Sequence, residues 1–370
     1  MFILSDLEQG KSNNFNIIRL VAAVSVVFAH SFALSLGFYP KLFPGFSVGY
    51  FGDIAVLSFF TLSGFLITKS FFKNENIYSF IEARILRLLP GYALSLIYCI
   101  LLGLLVTTTD IYTYLVSAFE FFWKIMSYLL IRTSSGLLGV YADNPHSNAS
   151  NGSLWSLPAE VRMYMLVLFL GFFKILKKKN ALNLFFLSAG ILMYLIFSYD
   201  SYLLDRAISF VFRVPLYPLI KFPLAFIIGM YAYLYKQYVP ISPVIFIGLM
   251  VALFILPYSL YLETVAVSYS VLFFGFYPKI IIKKFINVPD YSYGIYIFSF
   301  PTQQALVSIL KIYDPYLLFG TSLFCTLIVS IFSWHIVEKP SLKLKGKTQN
   351  YLSSLMQMLL IRFKPYLRRG

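Results

Sequence analysis

Apolar runs of about 20 residues recur along most of this chain, separated by short polar and basic segments. A run of roughly 20 apolar residues is the length that crosses a bilayer as an α-helix. The pattern therefore predicts an all-α polytopic membrane protein with about ten transmembrane helices. The predicted spans lie near residues 17–36, 50–72, 88–107, 156–175, 181–198, 207–235, 242–258, 261–282, 291–312 and 316–337.

One further apolar stretch, residues 111–131, does not fit this alternation. Counting it as a full crossing would move the basic run 174–179 to the outer side, against the usual placement of Lys and Arg. We therefore predict an interfacial or re-entrant element on the outer side, where its Tyr and Trp residues are favoured.

Composition supports the membrane class and sets the topology. Hydrophobic residues make up 59% and charged residues 12% of the chain, and the mean hydropathy is +0.78. Of the 30 Lys and Arg residues, the ten-span topology assigns 21 to the inner side and 4 to the outer side, counting residues at span ends with the adjoining connection, and the other 5 to spans or their edges. This asymmetry predicts cytoplasmic termini. Residues 1–345 form the predicted membrane domain, and 346–370 a basic amphipathic tail on the inner leaflet.

Charge and cysteine content narrow the partners. A net charge of +15 in a membrane protein indicates contact with anionic lipids, and no nucleic-acid motif is present. Both cysteines, Cys99 and Cys325, lie in apolar runs, which predicts neither a disulfide framework nor a metal site. With three histidines in the chain, we expect no metal-ligand cluster.

Two ionisable residues lie within the first span. Arg19 and His30 are eleven residues apart, which places them within ~20° on one helix face and about 16 Å apart along the axis. Ionisable groups are costly in a membrane and usually face a protein interior or a water-filled cavity. The alternative is that Arg19 reaches the headgroups while His30 is a core residue.

Further polar residues follow at the ends of the next spans. Asp53, at the outer end of the second span, is brought near His30 by a short connection, although an interfacial aspartate is equally compatible. Ser63 and the next residue, Gly64, allow close helix approach or a local break. Arg84 and Arg87, at i and i+3 on the inner side, form either an anion clamp or a topology anchor.

The segment from Trp155 to Tyr164 begins the fourth span. Pro158 is suited to a first helical turn, and Glu160 and Tyr164 are i, i+4 neighbours on one face. We place Glu160 at the outer mouth of the bundle. The candidate residues are thus predicted on opposite sides, with the arginines inside, His30 in the membrane and Glu160 outside.

These motifs, in this order, resemble the integral-membrane acyltransferase family 3. Arg19 and His30 match its Arg, ten residues, His pattern, and Arg84 and Arg87 its Arg-x-x-Arg pattern. The other matching stretches are FFTLSG (59–64), WSLPAE (155–160), SYGIYIFSFP (292–301) and VEKP (337–340). The resemblance covers roughly residues 14–340. One departure is the absence of the histidine that many relatives carry near Phe298. Some relatives also carry an extra outer hydrolase-like domain after the last span, where this sequence has a short basic tail.

The resemblance implies a bacterial inner-membrane O-acyltransferase that moves an acyl group, most readily acetyl, from cytoplasmic acyl-CoA to an envelope glycan or a lipid-linked glycan. It leaves the oligomeric state open. It implies catalytic roles for His30, Glu160, Arg19 and Asp53, donor contacts from Arg19, Arg84, Arg87 and Ser63, and acceptor contacts from Trp155, Glu160 and Tyr164. His30 would act as general base or take the acyl group covalently. Arg19 would stabilise the donor or the thioester oxyanion, and no metal is required.

Two other classes remain compatible with the residues alone. A proton-coupled transporter or glycan flippase would use Arg19, His30, Asp53 and Glu160 as a relay, although no internal repeat is visible. A structural subunit of an envelope assembly complex would retain its function after substitution of His30.

Overall fold

The computed structural model of the chain describes residues 2–9, 12–41, 49–74, 76–127, 129, 136–146, 149–188, 216–286 and 288–346. The described chain is mainly helical, with α1 (Leu4–Glu8), α2 (Phe15–Leu36), α3 (Phe51–Asn74), α4 (Ile77–Leu104), α5 (Ile111–Ser127), α6 (Leu157–Phe172), α7 (Leu216–Leu234), α8 (Pro243–Ile255), α9 (Leu260–Phe276), α10 (Ser292–Leu310), α11 (Pro315–Ser333) and α12 (Lys339–Leu342). Helical backbone also covers residues 179–188. The strands β1 (Phe2–Ile3) and β2 (Pro240–Ile241) pair antiparallel.

The helices confirm a membrane protein of the all-α class. Within the part of the chain that the structure describes, five helical segments are long and apolar enough to cross a bilayer, namely Phe15–Leu36, Phe51–Lys73, Ile77–Leu104, Gly152–Phe172 and Pro315–Leu342. The count of ten spans and the cytoplasmic termini stay predictions. The second half of the predicted span 181–198, the first nine residues of the span 207–235 and the tail after residue 346 lie outside the described residues.

Helix α10 is the centre of the bundle. Most of its side chains are buried, and it packs against α2, α4 and α11. It is parallel to α2, because Arg19 pairs with Asp290 just before α10 while His30, further along α2, packs on Phe300. The two helices therefore define a common axis along which the candidate residues can be placed.

Helix α4 begins earlier than the sequence analysis predicted. The Asn76 side chain caps its first turn by accepting from the backbone N–H groups of Tyr78 and Ser79, and the helix continues through Pro90. The placement of Arg84 and Arg87 in a connection before a span starting at residue 88 is therefore wrong. Both lie within α4, whose early turns are fixed by this cap.

Helix α5 folds back along α4. Tyr114, near the start of α5, donates its hydroxyl to a carbonyl in the last turns of α4 (2.6 Å), and Ile125 O, near the end of α5, accepts from Tyr92 in the middle of α4 (3.0 Å). Gly139, later in the chain, lies beside the segment just before α5, where its carbonyl accepts from Thr108 N (3.0 Å). Both predicted forms, interfacial and re-entrant, stay predictions, since these contacts fix α5 relative to α4 and not relative to a membrane.

Helices α3 and α7 approach each other closely through two glycines. A Cβ at Gly64 would lie 2.0 Å from Phe226 O, and a Cβ at Gly229 would lie 2.1 Å from Thr61 O. Helix α3 is continuous through this point. Of the two predicted roles of Ser63 and Gly64, close helix approach is therefore the one observed, and no break occurs.

We expect Gly229→Ala to destabilise the protein by roughly 1–3 kcal/mol, because the added methyl group cannot be accommodated without moving α7 away from α3. Gly248→Ala is the matched control, since a Cβ there meets nothing within 4 Å. Thermal unfolding of the purified variants in detergent measures the effect. Equal midpoints for the two variants would contradict close packing at Gly229.

Candidate active site

Two adjoining cavities contain the candidate residues. The arginine cavity, of about 140 Å³, is lined by Arg19, Val56, Phe59, Phe60, Ser63, Leu66, Ile67, Arg84, Arg87, Leu88, Ser156, Leu157, Glu160, Tyr164, Asp290, Ser292, Tyr293 and Tyr296. The histidine cavity, of about 190 Å³, is lined by Val26, His30, Tyr39, Tyr50, Gly52, Asp53, Val56, Trp155 and Tyr296. Val56 and Tyr296 line both cavities, so the two spaces meet at these side chains.

A network of ion pairs forms one wall of the arginine cavity. Asp290 Oδ2 accepts from Arg19 Nη1 (3.1 Å) and from Arg87 Nη2 (2.9 Å), and Arg87 Nη1 also pairs with Glu338 Oε2 (3.3 Å). Ser333 donates to the second Glu338 oxygen (2.8 Å). The network joins α2, α4, the start of α10 and the turn after α11, which are distant in sequence.

Asp290 is held as a carboxylate by this network. Burial alone raises the pKa of the Asp290 carboxyl, but Arg19, Arg87 and the hydrogen bonds from Ser292 reverse that effect and hold the pKa below its ordinary value. The charged form is stabilised because a buried charge is tolerated only when it is paired and hydrogen-bonded. Two of the cavity's three arginines are therefore already engaged by a protein carboxylate.

Arg84 has different neighbours from Arg87. Its guanidinium carbon lies 5.7 Å from the ring centres of both Phe80 and Tyr164, and its buried Nε–H has no acceptor among the described residues. Arg87 also stacks on Tyr293 but is in addition paired with two carboxylates. The predicted pair of arginines is thus asymmetric, and Arg84 retains hydrogen-bonding capacity.

Glu160 lies at the arginine cavity rather than at the outer mouth. Its Oε1 accepts from the Tyr164 hydroxyl and from Ser63 Oγ (3.2 Å), in the middle of α3. The prediction that Glu160 and the arginines lie on opposite sides is therefore wrong. The physical reason is the 3₁₀ turn Gly152–Ser156, which packs against α10 and starts α6 inside the bundle.

His30 is buried in the neighbouring cavity. Its ring packs edge-on to Phe300, with centroids 5.1 Å apart, and lies 6.2 Å from Tyr39. The side chain is 8% exposed, and Nδ1 has no hydrogen-bond partner among the described residues. An imidazole nitrogen kept dry without a protein partner is a candidate for contact with a substrate.

Asp53 and Trp155 line the histidine cavity with His30, as the short connection before α3 led us to expect for Asp53. Asp53 Oδ2 pairs with Lys221 Nζ at 3.1 Å. The Trp155 ring packs against Phe222, with centroids 5.3 Å apart. Every candidate from the sequence therefore falls in one of the two cavities.

Several residues of the site were missed by the sequence analysis. Asp290 lies just before the SYGIYIFSFP stretch, and Glu338 lies within VEKP. Both pair with Arg87, which is more than 200 positions away in the sequence. Lys221 stands alone in an apolar run, and its partner Glu263 is on another helix. A charged residue within a predicted span was the one sequence feature that could have indicated a functional role for Lys221. Its partners could not be assigned without the fold.

Comparison with known proteins identifies the class. The family described as "Acyltransferase domain", acyltransferase family 3, matches residues 12–335. An "O-acetyl transferase" of Shigella phage Sf6 is 30% identical over 346 residues, which are 89% of this chain and 96% of that protein. "Nodulation protein 10" of Rhizobium leguminosarum bv. viciae is 31% identical over 176 residues, 42% of this chain and 43% of that protein. No solved structure matches the chain.

The chain belongs to acyltransferase family 3 and is an enzyme of the acyltransferase class. The transporter, flippase and structural-subunit alternatives are set aside on this ground. The roles of the individual site residues, the donor, and the absence of a metal requirement stay predictions. The described residues contain no group of three or more His, Cys, Asp or Glu side chains that could hold a metal ion.

We expect Arg87→Met to lower the free energy of unfolding by roughly 1–3 kcal/mol, because Glu338 and Asp290 lose a charged partner. Adding Glu338→Gln should restore part of the loss, since Asp290 keeps Arg19. Arg84→Met, which removes no direct carboxylate pair, should cost less. Thermal unfolding of the purified variants tests this order, and an equal loss for Arg84→Met and Arg87→Met would contradict it.

Proposed function

We propose that the protein is an O-acetyltransferase of the bacterial inner membrane that moves an acyl group from cytoplasmic acyl-CoA to a hydroxyl of an envelope glycan. The observation that carries the proposal is the pair of cavities, one rich in arginine and one containing His30, which meet at Val56 and Tyr296. The phage relative's description as an O-acetyl transferase supports acetyl as the group and oxygen as its destination.

The arginine cavity suits the donor. Its volume of about 140 Å³ is below the ~300 Å³ at which pockets begin to hold a whole drug-sized ligand, so it fits the thin pantetheine arm better than a nucleotide. Arg84 is the guanidinium that we assign to an oxygen of the donor, because Arg19 and Arg87 are engaged by Asp290. Arg19 and Arg87, whose charges are balanced by Asp290 and Glu338, then shape the cavity wall and present hydrogen-bond donors from fixed positions.

The histidine cavity suits the acceptor hydroxyl. In the direct mechanism, His30 takes the hydroxyl proton while the oxygen forms a bond to the thioester carbonyl carbon. The carbon–sulfur bond breaks, and the imidazolium returns the proton to the departing thiolate, which releases coenzyme A as the thiol. In the covalent alternative the acyl group passes first to the imidazole and then to the hydroxyl.

Glu160 takes a role at the reaction centre rather than at the outer surface. Its carboxylate is tied to Tyr164 and Ser63 and lies on the wall of the arginine cavity. We assign it to orienting the Tyr164 and Ser63 hydroxyls next to the thioester. Trp155 and Asp53 remain on the acceptor side, in the cavity with His30.

The donor assignment predicts that Arg84 contributes directly to acyl-CoA binding, whereas Arg87 does not. Arg84→Met should raise the dissociation constant for acyl-CoA about tenfold or more, because a charge-assisted hydrogen bond is lost. Arg84→Lys should recover only part, since an ammonium lacks the planar guanidinium fork. Calorimetric titration of purified protein measures the change. Unchanged donor affinity in Arg84→Met would remove Arg84 from the donor site.

His30 should be required for chemistry and not for folding. We expect His30→Gln to reduce acyl transfer by at least ~100-fold, the lower range for loss of a general base, while acyl-CoA binding and thermal stability stay close to wild type. The assay compares transfer to glycan at matched protein amounts, with His335→Gln as the control, since His335 contacts Tyr291 and lines neither cavity. Near-normal transfer by His30→Gln would mean that His30 is a core residue, and the mechanism would be abandoned.

A further inference from the structure

A buried cluster of charges adjoins the histidine cavity. Lys221, on α7, has a fully buried side chain whose Nζ lies 3.1 Å from Asp53 Oδ2 and 2.8 Å from Glu263 Oε2. Glu263, on α9, is also fully buried and accepts from Gly49 N (2.8 Å) and from the Tyr258 hydroxyl (3.1 Å). The cluster therefore fastens α3, α7, α9 and the segment before α3 together.

Among the described residues, the cluster places two carboxylates, Asp53 and Glu263, around the one ammonium of Lys221. Glu263 is enclosed and satisfied by three donors, whereas the Asp53 side chain is 30% exposed and lines the cavity. Buried ion pairs rarely stabilise a fold more than well-packed apolar residues of the same volume. Of the two carboxylates, Asp53 is therefore the one that faces the cavity containing His30.

The other walls of the histidine cavity are aromatic. Tyr39, Tyr50 and Trp155 line it together with Tyr296. A cavity with aromatic faces and one carboxylate fits a ligand that has both apolar C–H faces and hydroxyl donors. A sugar ring has this combination, and a volume of about 190 Å³ is suited to one ring with the remainder of a glycan outside.

We propose that the histidine cavity is a subsite for one sugar ring of the acceptor, in which Asp53 accepts a hydrogen bond from a hydroxyl next to the one facing His30. Lys221 and Glu263 are positioning residues that hold the Asp53 carboxylate in this orientation. The proposal rests on the proposed function and adds the substrate class and the recognition group of the acceptor side.

The test uses full-length purified protein and a panel of methyl glycosides: methyl rhamnopyranoside, glucopyranoside and galactopyranoside. Binding is followed by the fluorescence of Trp155, assigned by its loss in Trp155→Phe, and acyl transfer from acetyl-CoA gives kcat and KM. Asp53→Asn removes the charge but leaves the Lys221–Glu263 pair, so the fold is expected to hold. We expect at least a tenfold weaker glycoside binding and a matching rise in KM, with kcat and acetyl-CoA affinity within about threefold.

Glu8→Gln is the matched control. Glu8 pairs with Lys69 on α3 and with Lys236 in the turn after α7, and none of the three lines either cavity, so the substitution should leave glycoside binding unchanged. Lys221→Met should weaken glycoside binding as Asp53→Asn does. If it does not fold, Glu263→Gln provides the second positioning variant.

The outcomes separate this proposal from the proposed function. A wild-type protein that binds acetyl-CoA and transfers the acetyl group, with Asp53→Asn equal to wild type in glycoside binding, overturns the sugar subsite alone. A fall in kcat without a change in KM makes Asp53 part of the chemistry and also overturns it, as does a wild-type protein that binds none of the glycosides. Absence of acyl transfer from acetyl-CoA to any hydroxyl acceptor would instead refute the proposed function.

Discussion

The arrangement of the site depends on one set of ion pairs. Arg87 pairs with both Asp290 and Glu338, and Asp290 also pairs with Arg19. Charges in the interior of a membrane bundle are costly unless they are paired, so each member of this network fixes the position of the others. Because the members come from α2, α4, the start of α10 and the turn after α11, pairing the charges also sets how these elements pack. The arginine cavity is the space that this packing leaves.

The same requirement operates at the histidine cavity. Among the described residues, one lysine there is enclosed by two carboxylates, of which Asp53 faces the cavity, whereas the Nε–H of Arg84 has no described acceptor at the arginine cavity. A positive group is thus available on the donor side and a negative group on the acceptor side. This polarity is suited to a polyanionic thioester and a neutral polyhydroxyl acceptor that approach a common centre near Val56 and Tyr296.

Local features of the site could be predicted from the sequence, and features that depend on long-range packing could not. Helical periodicity placed Arg19 and His30 on one face of α2, and each lines one of the adjoining cavities. The depth of Glu160 was mispredicted because it depends on a 3₁₀ turn packed against α10, a contact without a local pattern. The partners of Arg87 and Lys221 are likewise set by the fold, since no spacing rule links residues so far apart.

The central claim, that donor and acceptor reach one centre from opposite sides of the bundle, is tested most directly in sealed proteoliposomes of known orientation. Acetyl-CoA, which does not cross the bilayer, is supplied on one side, and a membrane-impermeant oligosaccharide acceptor is enclosed on the other. The account predicts acetylation when acetyl-CoA is on the side of the Arg19 end of α2 and the acceptor is on the side of the Asp53 end of α3. Acetylation that requires both substrates on the same side would contradict it.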